Sequence, residues 1–202
     1  MNKIYLAVLT IIIVGGIGVF FMKQPKENVP ATSPLAASTS PTSSPLSDLG
    51  SGGSSYLDQK GIYNFLYPND YTLDTEDPQH IRIYKRGETQ RPQSEMSDGA
   101  LMVFETVELK GATLEKWVDT RISESTADGT SEITEHKKTV TQNGYPGFYY
   151  AVRGLGTSQN LILQKDINSD NAVVITYAIS DPAQKGYQTE VDEVLKSLSL
   201  LK

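Results

Sequence analysis

From Ala172 to Ser180 apolar residues fall on both parities of the chain: Val173, Ile175, Tyr177 and Ile179 on one, Ala172, Val174 and Ala178, with the uncharged Thr176, on the other. Neither face carries a charge, which predicts a strand in the middle of a sheet with both sides covered. Two further β-rich runs precede it, Tyr145 to Arg153 and Leu161 to Asp166, separated by turn-forming residues. After it, Asp181-Pro182 offers an N-cap followed by proline at the first helical position. Tyr187, Val191, Val194, Leu195 and Leu198 then recur at helical spacing. That stripe predicts a helix folded back over an antiparallel meander.

Upstream the period changes repeatedly. Gly61 to Tyr67 is a strand ended by Pro68-Asn69-Asp70, His80 to Lys85 alternates around Ile81 and Ile83, and Ala100 to Leu109 returns to strand pattern. The polar stretch from Arg86 to Gly99, with Pro92, reads as a long exposed loop. Thr113 is placed to cap a helix carrying Leu114, Trp117, Val118, Arg121 and Ile122 on one face, with Trp117 expected under the helix against the sheet. Ser123 to Glu132 ends that helix, Ile133 to Gln142 reads as a strand, and Asn143-Gly144 is a type I′ hairpin turn.

The first quarter of the 202 residues has a different texture. Ile4 to Met22 is 19 residues without charge, flanked by Lys3, Lys23 and Lys26. At about 1.5 Å per residue it matches the hydrocarbon thickness of a bilayer. The run closes on Phe20-Phe21-Met22-Lys23, a poor cleavage site, so an uncleaved signal anchor over 1–22 is expected rather than a cleaved peptide. The short head before Lys3 and the long tail predict a domain outside the cytoplasm. Residues 23–55 are dominated by Pro, Ser, Thr, Ala and Gly, with too few large apolar side chains to offset the entropy of ordering. They read as a disordered stalk reaching roughly 30 Å. The globular domain is therefore expected at 56–202.

Particular residues in that domain resemble the PsbP family. They are Phe65-Leu66-Tyr67-Pro68-Asn69-Asp70-Tyr71, Thr113-Leu114-Glu115-Lys116-Trp117-Val118, Gly144, and Val194-Leu195-Lys196-Ser197-Leu198, with Tyr71 where the family usually has Trp. The resemblance spans roughly residues 56 to 202. It implies an α+β fold: an α-β-α sandwich around a central antiparallel sheet, here preceded by one transmembrane helix and the stalk. Photosynthetic members assist the oxygen-evolving centre, but a fold does not carry that role to this chain.

Charge narrows the partners. Past residue 55 there are 15 Lys and Arg against 22 Asp and Glu, a formal −7, which repels a phosphate backbone and argues against nucleic acid. The absence of cysteine removes disulfide, thiol and iron–sulfur chemistry.

Asp166, Asn168 and Asp170 have the D-x-N-x-D spacing of a calcium loop, but Asn171 and Tyr177 stand where Gly and Glu belong, so a turn is the better reading. His80 and His136 lack neighbouring ligand residues, and Gly154-Leu155-Gly156 is a loop, not a dinucleotide fingerprint. Glu105 and Glu108 are the carboxylates that acid–base chemistry could use, though they read as exposed strand-end residues. Tyr145, Phe148, Tyr149 and Tyr150 alternate between two faces, as core residues would.

No catalytic, cofactor or metal residue is assigned. The expectation is a non-enzymatic, membrane-tethered binding or accessory module whose partner is a protein, glycan or small ligand. A carboxylate-dependent hydrolase and a structural envelope protein are the alternatives.

Overall fold

The computed structural model describes residues 53–91 and 96–201. The expected anchor and nearly all of the stalk lie outside the described residues. Among the described residues no helix is long and apolar enough to cross a membrane.

In chain order the elements are β1 (Gly53–Leu57), β2 (Tyr63–Pro68), β3 (Thr72–Asp74), β4 (His80–Arg86), β5 (Gly99–Glu108), α1 (Leu114–Thr126), β6 (Glu132–Gln142), β7 (Tyr145–Arg153), β8 (Thr157–Leu163), β9 (Asn171–Ser180), α2 (Tyr187–Ser197) and β10 (Ser199–Leu200). Seven strands form an antiparallel sheet in the order β3-β4-β5-β9-β8-β7-β6, and β1-β2-β10 form a small second sheet. The strand with two uncharged faces, β9, is the middle one of the seven, flanked by β5 and β8. A helix covers each face, so the mixed α+β architecture with a large antiparallel sheet holds, with the three-stranded sheet as an addition.

One face of the large sheet meets α2 and the small sheet. Phe65 of β2 stacks on Phe104 of β5 with ring centroids 4.2 Å apart, and Tyr63 stacks on Phe104 at 5.8 Å. Tyr187, Val191, Val194, Leu195 and Leu198 are all buried there, as the stripe requires. Fully burying such aliphatic side chains contributes about 1.5–3 kcal/mol each. The opposite face meets α1, whose Leu114 and Val118 pack on Tyr150, Ile162 and Val174. β7 divides between the faces: Tyr145, Tyr149 and Ala151 join the first core, Phe148, Tyr150 and Val152 the second.

Several expectations need correction. β1 runs from Gly53 across the expected boundary at 56, because pairing with β2 orders serines that read as stalk. β8 begins at Thr157 and ends at Leu163, a shift toward the N-terminus relative to the run Leu161 to Asp166. Asp181 is not the N-cap of α2; Gly186 is, at φ 90°. The Asp181 carboxylate still serves the helix start, accepting from the backbone N–H of Lys185, Gly186 and Tyr187.

Trp117 is only partly buried, since Val118 takes the fully enclosed position on α1. The stretch 86–99 is not simply exposed, for Asp98 is completely buried and accepts from the Thr89 N–H at 2.9 Å and hydroxyl at 2.7 Å. A Cβ at Gly87 would collide with the Asp98 carboxylate, so that position needs glycine.

The Asn143-Gly144 turn has both central residues at positive φ, 53° and 85°, as a type I′ hairpin demands. Asn143 does more than turn the chain. Its amide nitrogen lies 2.8, 3.1 and 2.9 Å from the carbonyl oxygens of Leu195, Lys196 and Leu198, satisfying the orphan acceptors at the end of α2.

Candidate binding cleft

β5 ends where Lys110 and Gly111 take left-handed backbone conformations, φ 52° and 79°, and turn the chain toward α1. The Leu109 N–H donates to the Asp170 carbonyl at 2.7 Å, fixing that turn against the β8–β9 hairpin. Thr113 Oγ1 then accepts from the Lys116 N–H at 3.2 Å, which starts α1 one turn before Trp117. The result is a cleft of about 620 Å³ at this end of the sheet, with Glu105 and Glu108 of β5, Trp117, and Asp58 and Lys60 of the β1–β2 turn in its walls. A hollow of about 330 Å³, reaching Asp170, shares Glu108, Lys110 and Asn171 with it.

The carboxylates here have structural partners. Glu105 lies inside β5, not at an exposed strand end, and its Oε2 is 3.4 Å from Arg121 Nη2; Arg121 in turn lies 5.8 Å over the Trp117 ring. Asp58 is buried, and its Oδ2 accepts from the N–H groups of Lys60 and Ile62. Burial pushes the Tyr63 hydroxyl well above its ordinary range. Such a lining offers fixed acceptors, lysine cations and the aromatic rings of Tyr63 and Trp117, which suits holding a polar partner.

The other residues singled out by sequence fall apart in space. Asp166 Oδ1 accepts from the Asn168 N–H at 2.9 Å, an Asx turn in the β8–β9 hairpin, while Asp170 enters the hollow described above. His80 Nδ1 is 2.7 Å from Asp77 Oδ2, and this contact depresses the Asp77 carboxyl. His136 is exposed on β6. Gly154 closes the β7–β8 hairpin through its N–H to Gly156 O. Among the described residues no three His, Cys, Asp or Glu side chains converge as a metal site would require.

Sequence reasoning missed a second polar cluster. Lys85 Nζ sits 2.7 Å from both Asp70 Oδ2 and Glu190 Oε1, 5.8 Å over the Tyr71 ring and 5.5 Å over that of Tyr187. The Tyr71 hydroxyl donates to Glu190 Oε2 at 3.1 Å. Burial works to lower the Lys85 pKa, but the two carboxylates outweigh it and raise the value. The available signal was parity: Lys85 follows Ile81 and Ile83 on the inward side of β4.

No family model matches this chain, and no curated protein matches it. Its class is mixed α+β, a large antiparallel sheet with a helix on each face. Solved structures of similar architecture include the Ran-binding protein Mog1p of Saccharomyces cerevisiae, 12% identical, covering 75% of this chain and 96% of that chain at a TM-score of 0.48. A cyanobacterial PsbP from Synechocystis is 16% identical and covers 77% of this chain and 98% of that chain at 0.47. A protein from Bacteroides thetaiotaomicron is 12% identical, covering 75% of this chain and 49% of that chain at 0.43. At these identities the likeness is one of architecture.

Proposed function

We propose that this chain is a non-enzymatic binding or accessory module, held at the cell membrane by residues 1–22 and a stalk over 23–55, with its globular domain outside the cytoplasm. The observation that carries the binding reading is the cleft at the end of β5, where Glu105 and Asp58 are committed to Arg121 and to backbone N–H groups. A carboxylate tied to a structural cation or amide recognises a partner more readily than it exchanges protons with one. The uncharged run Ile4 to Met22 supports the tether.

Two experiments test this reading. Protease added to intact cells should release the domain while the N-terminal piece stays in the membrane fraction; a domain protected until the cells are lysed would contradict the placement. The second concerns catalysis, because Glu105, Glu108 and Asp58 share one cleft and so favour a hydrolase as the competing reading. The full chain is assayed with ester, peptide, phosphoester and glycoside reporters beside the double variant Glu105→Gln/Glu108→Gln. Equal background from both is expected, and turnover abolished in the double variant would establish the enzyme.

A further inference from the structure

The polar groups in the cleft divide into those the fold has already used and those it has not. Glu105 is held by Arg121, and Asp58 accepts from the N–H groups of Lys60 and Ile62. The side chains of Gln79, Glu108, Lys110 and Asn171 also line the cleft, and among the described residues none of these four has a hydrogen-bond or ion-pair partner.

The backbone of β5 adds three more open groups. β4 pairs with β5 only as far as His80 opposite Glu105. Gln79, next in line, gives its N–H to Asp77 Oδ1 at 2.9 Å, and Pro78 has no N–H to give. Because the Leu109 N–H donates to Asp170 on the β9 side, alternation turns the backbone groups of Thr106 and Glu108 the other way, into the space where β4 has ended. The Thr106 carbonyl and the N–H and carbonyl of Glu108 therefore face the cleft.

This set selects a kind of ligand. Pro78 and Gln79 close the far end of the open edge, leaving about two residues of it, too short to pair with a strand of a partner. The unpartnered charges, one carboxylate on Glu108 and one ammonium on Lys110, cancel, so neither an anion nor a cation is favoured. Donors and acceptors intermixed over so short a distance suit hydroxyls, which serve both roles. Trp117 supplies the apolar element: Arg121 lies 5.8 Å over its ring without lining the cleft, and the part of the indole that Arg121 leaves uncovered meets the cleft. A pyranose ring combines these properties, with hydroxyls around its rim and a C–H face that packs on an indole. The volume of about 620 Å³ lies inside the span of about 300–1,000 Å³ usual for small-ligand sites.

We infer that the cleft at the end of β5 is a glycan-binding site, taking an uncharged pyranose sugar with its C–H face on Trp117 and its hydroxyls on Glu108, Asn171 and the open end of β5. This rests on the binding-module reading and names the class of ligand.

Trp117 is the only tryptophan of the chain, so its emission reports the cleft directly. The test uses the full chain in a detergent without a sugar headgroup. Triacetylchitotriose and cellotriose are the sugar probes, and a capped peptide of alternating valine and threonine is the competing one. At least one of the two sugars should shift the Trp117 emission saturably, and the peptide should not. Glu108→Ala should weaken the sugar about fivefold or more, while Glu124→Ala, exposed on α1 outside the cleft, should leave it within about twofold. Matching melting curves for both variants confirm that folding is intact.

Emission that responds to the peptide and to neither sugar overturns the glycan site and leaves the binding-module reading standing. A sugar response that Glu108→Ala leaves unchanged also overturns the site while sparing that reading. Silence toward all three probes counts against both.

Discussion

The two faces of the central sheet are built to different standards. Among the described residues, twenty-three buried side chains on the α2 side form one continuous core that joins both sheets. On the α1 side the buried set is seven. Both faces are formed by the same strands, so strand propensity does not account for the difference. What differs is the cover: α2 and the three-stranded sheet act together on one face, while α1 works alone on the other. Stability is therefore expected to reside on the first face, leaving the second free to serve a partner.

The largest expected effect comes from emptying the first core. Phe104→Ala removes a ring that is fully buried and stacked 4.2 Å from Phe65, and should cost about 3–5 kcal/mol in a denaturant melt. On the second face, Val118→Ala at the one fully enclosed position of α1 should cost about 2 kcal/mol. Trp117→Ala, with the ring only partly buried, should cost about 1–2 kcal/mol rather than the 3–5 of an enclosed aromatic. If Trp117→Ala proved as damaging as Phe104→Ala, the contrast between the faces would fail.

Asn143 sharpens the comparison because it anchors the end of α2 from a turn in the large sheet. Asn143→Gly keeps the positive φ and loses the amide bonds to the Leu195, Lys196 and Leu198 carbonyls, at a cost of about 1 kcal/mol. Asn143→Ala should cost more, since it adds strain at φ 53°. Equal melting of the two variants would show that backbone strain contributes nothing there.

Acid should loosen the α2 side through two carboxylates. Hydrogen bonds from Thr89 depress the Asp98 pKa; at Asp181 burial opposes the shift, and three backbone N–H groups reverse it to a net depression. A depressed folded value means this stabilisation is complete above about pH 4 and is lost as pH falls through the folded pKa. Asp98→Asn should flatten the acid limb of a melting series. An unchanged limb would remove Asp98 from the account.

Much of this was legible from local pattern. β7, the α2 stripe, the Thr113 cap and the Asn143-Gly144 turn each depend on residues close together in the chain, and each stands where its pattern put it. β1 was hidden because Gly53-Ser54-Ser55 has the composition of a stalk and becomes a strand only through β2, ten or more residues away. The start of α2 slipped because an aspartate can reach several N–H groups across a short loop, so Asp181-Pro182 mimics a cap from outside the helix. The cleft depends on turns from four parts of the chain meeting at one end of β5. Leu101, Val103 and Ala178 alternate as core residues do, and only the reach of α1 decides that they stay partly exposed.

The unequal faces are tested most directly by residue-resolved hydrogen exchange on the full chain in nanodiscs. Amides of α1 from Val118 to Ile122 should exchange through a local opening of lower free energy than global unfolding, while those of α2 from Val191 to Leu195 should open only with the whole domain. Equal protection in the two helices would contradict the claim that one face holds the fold and the other is left to receive a partner.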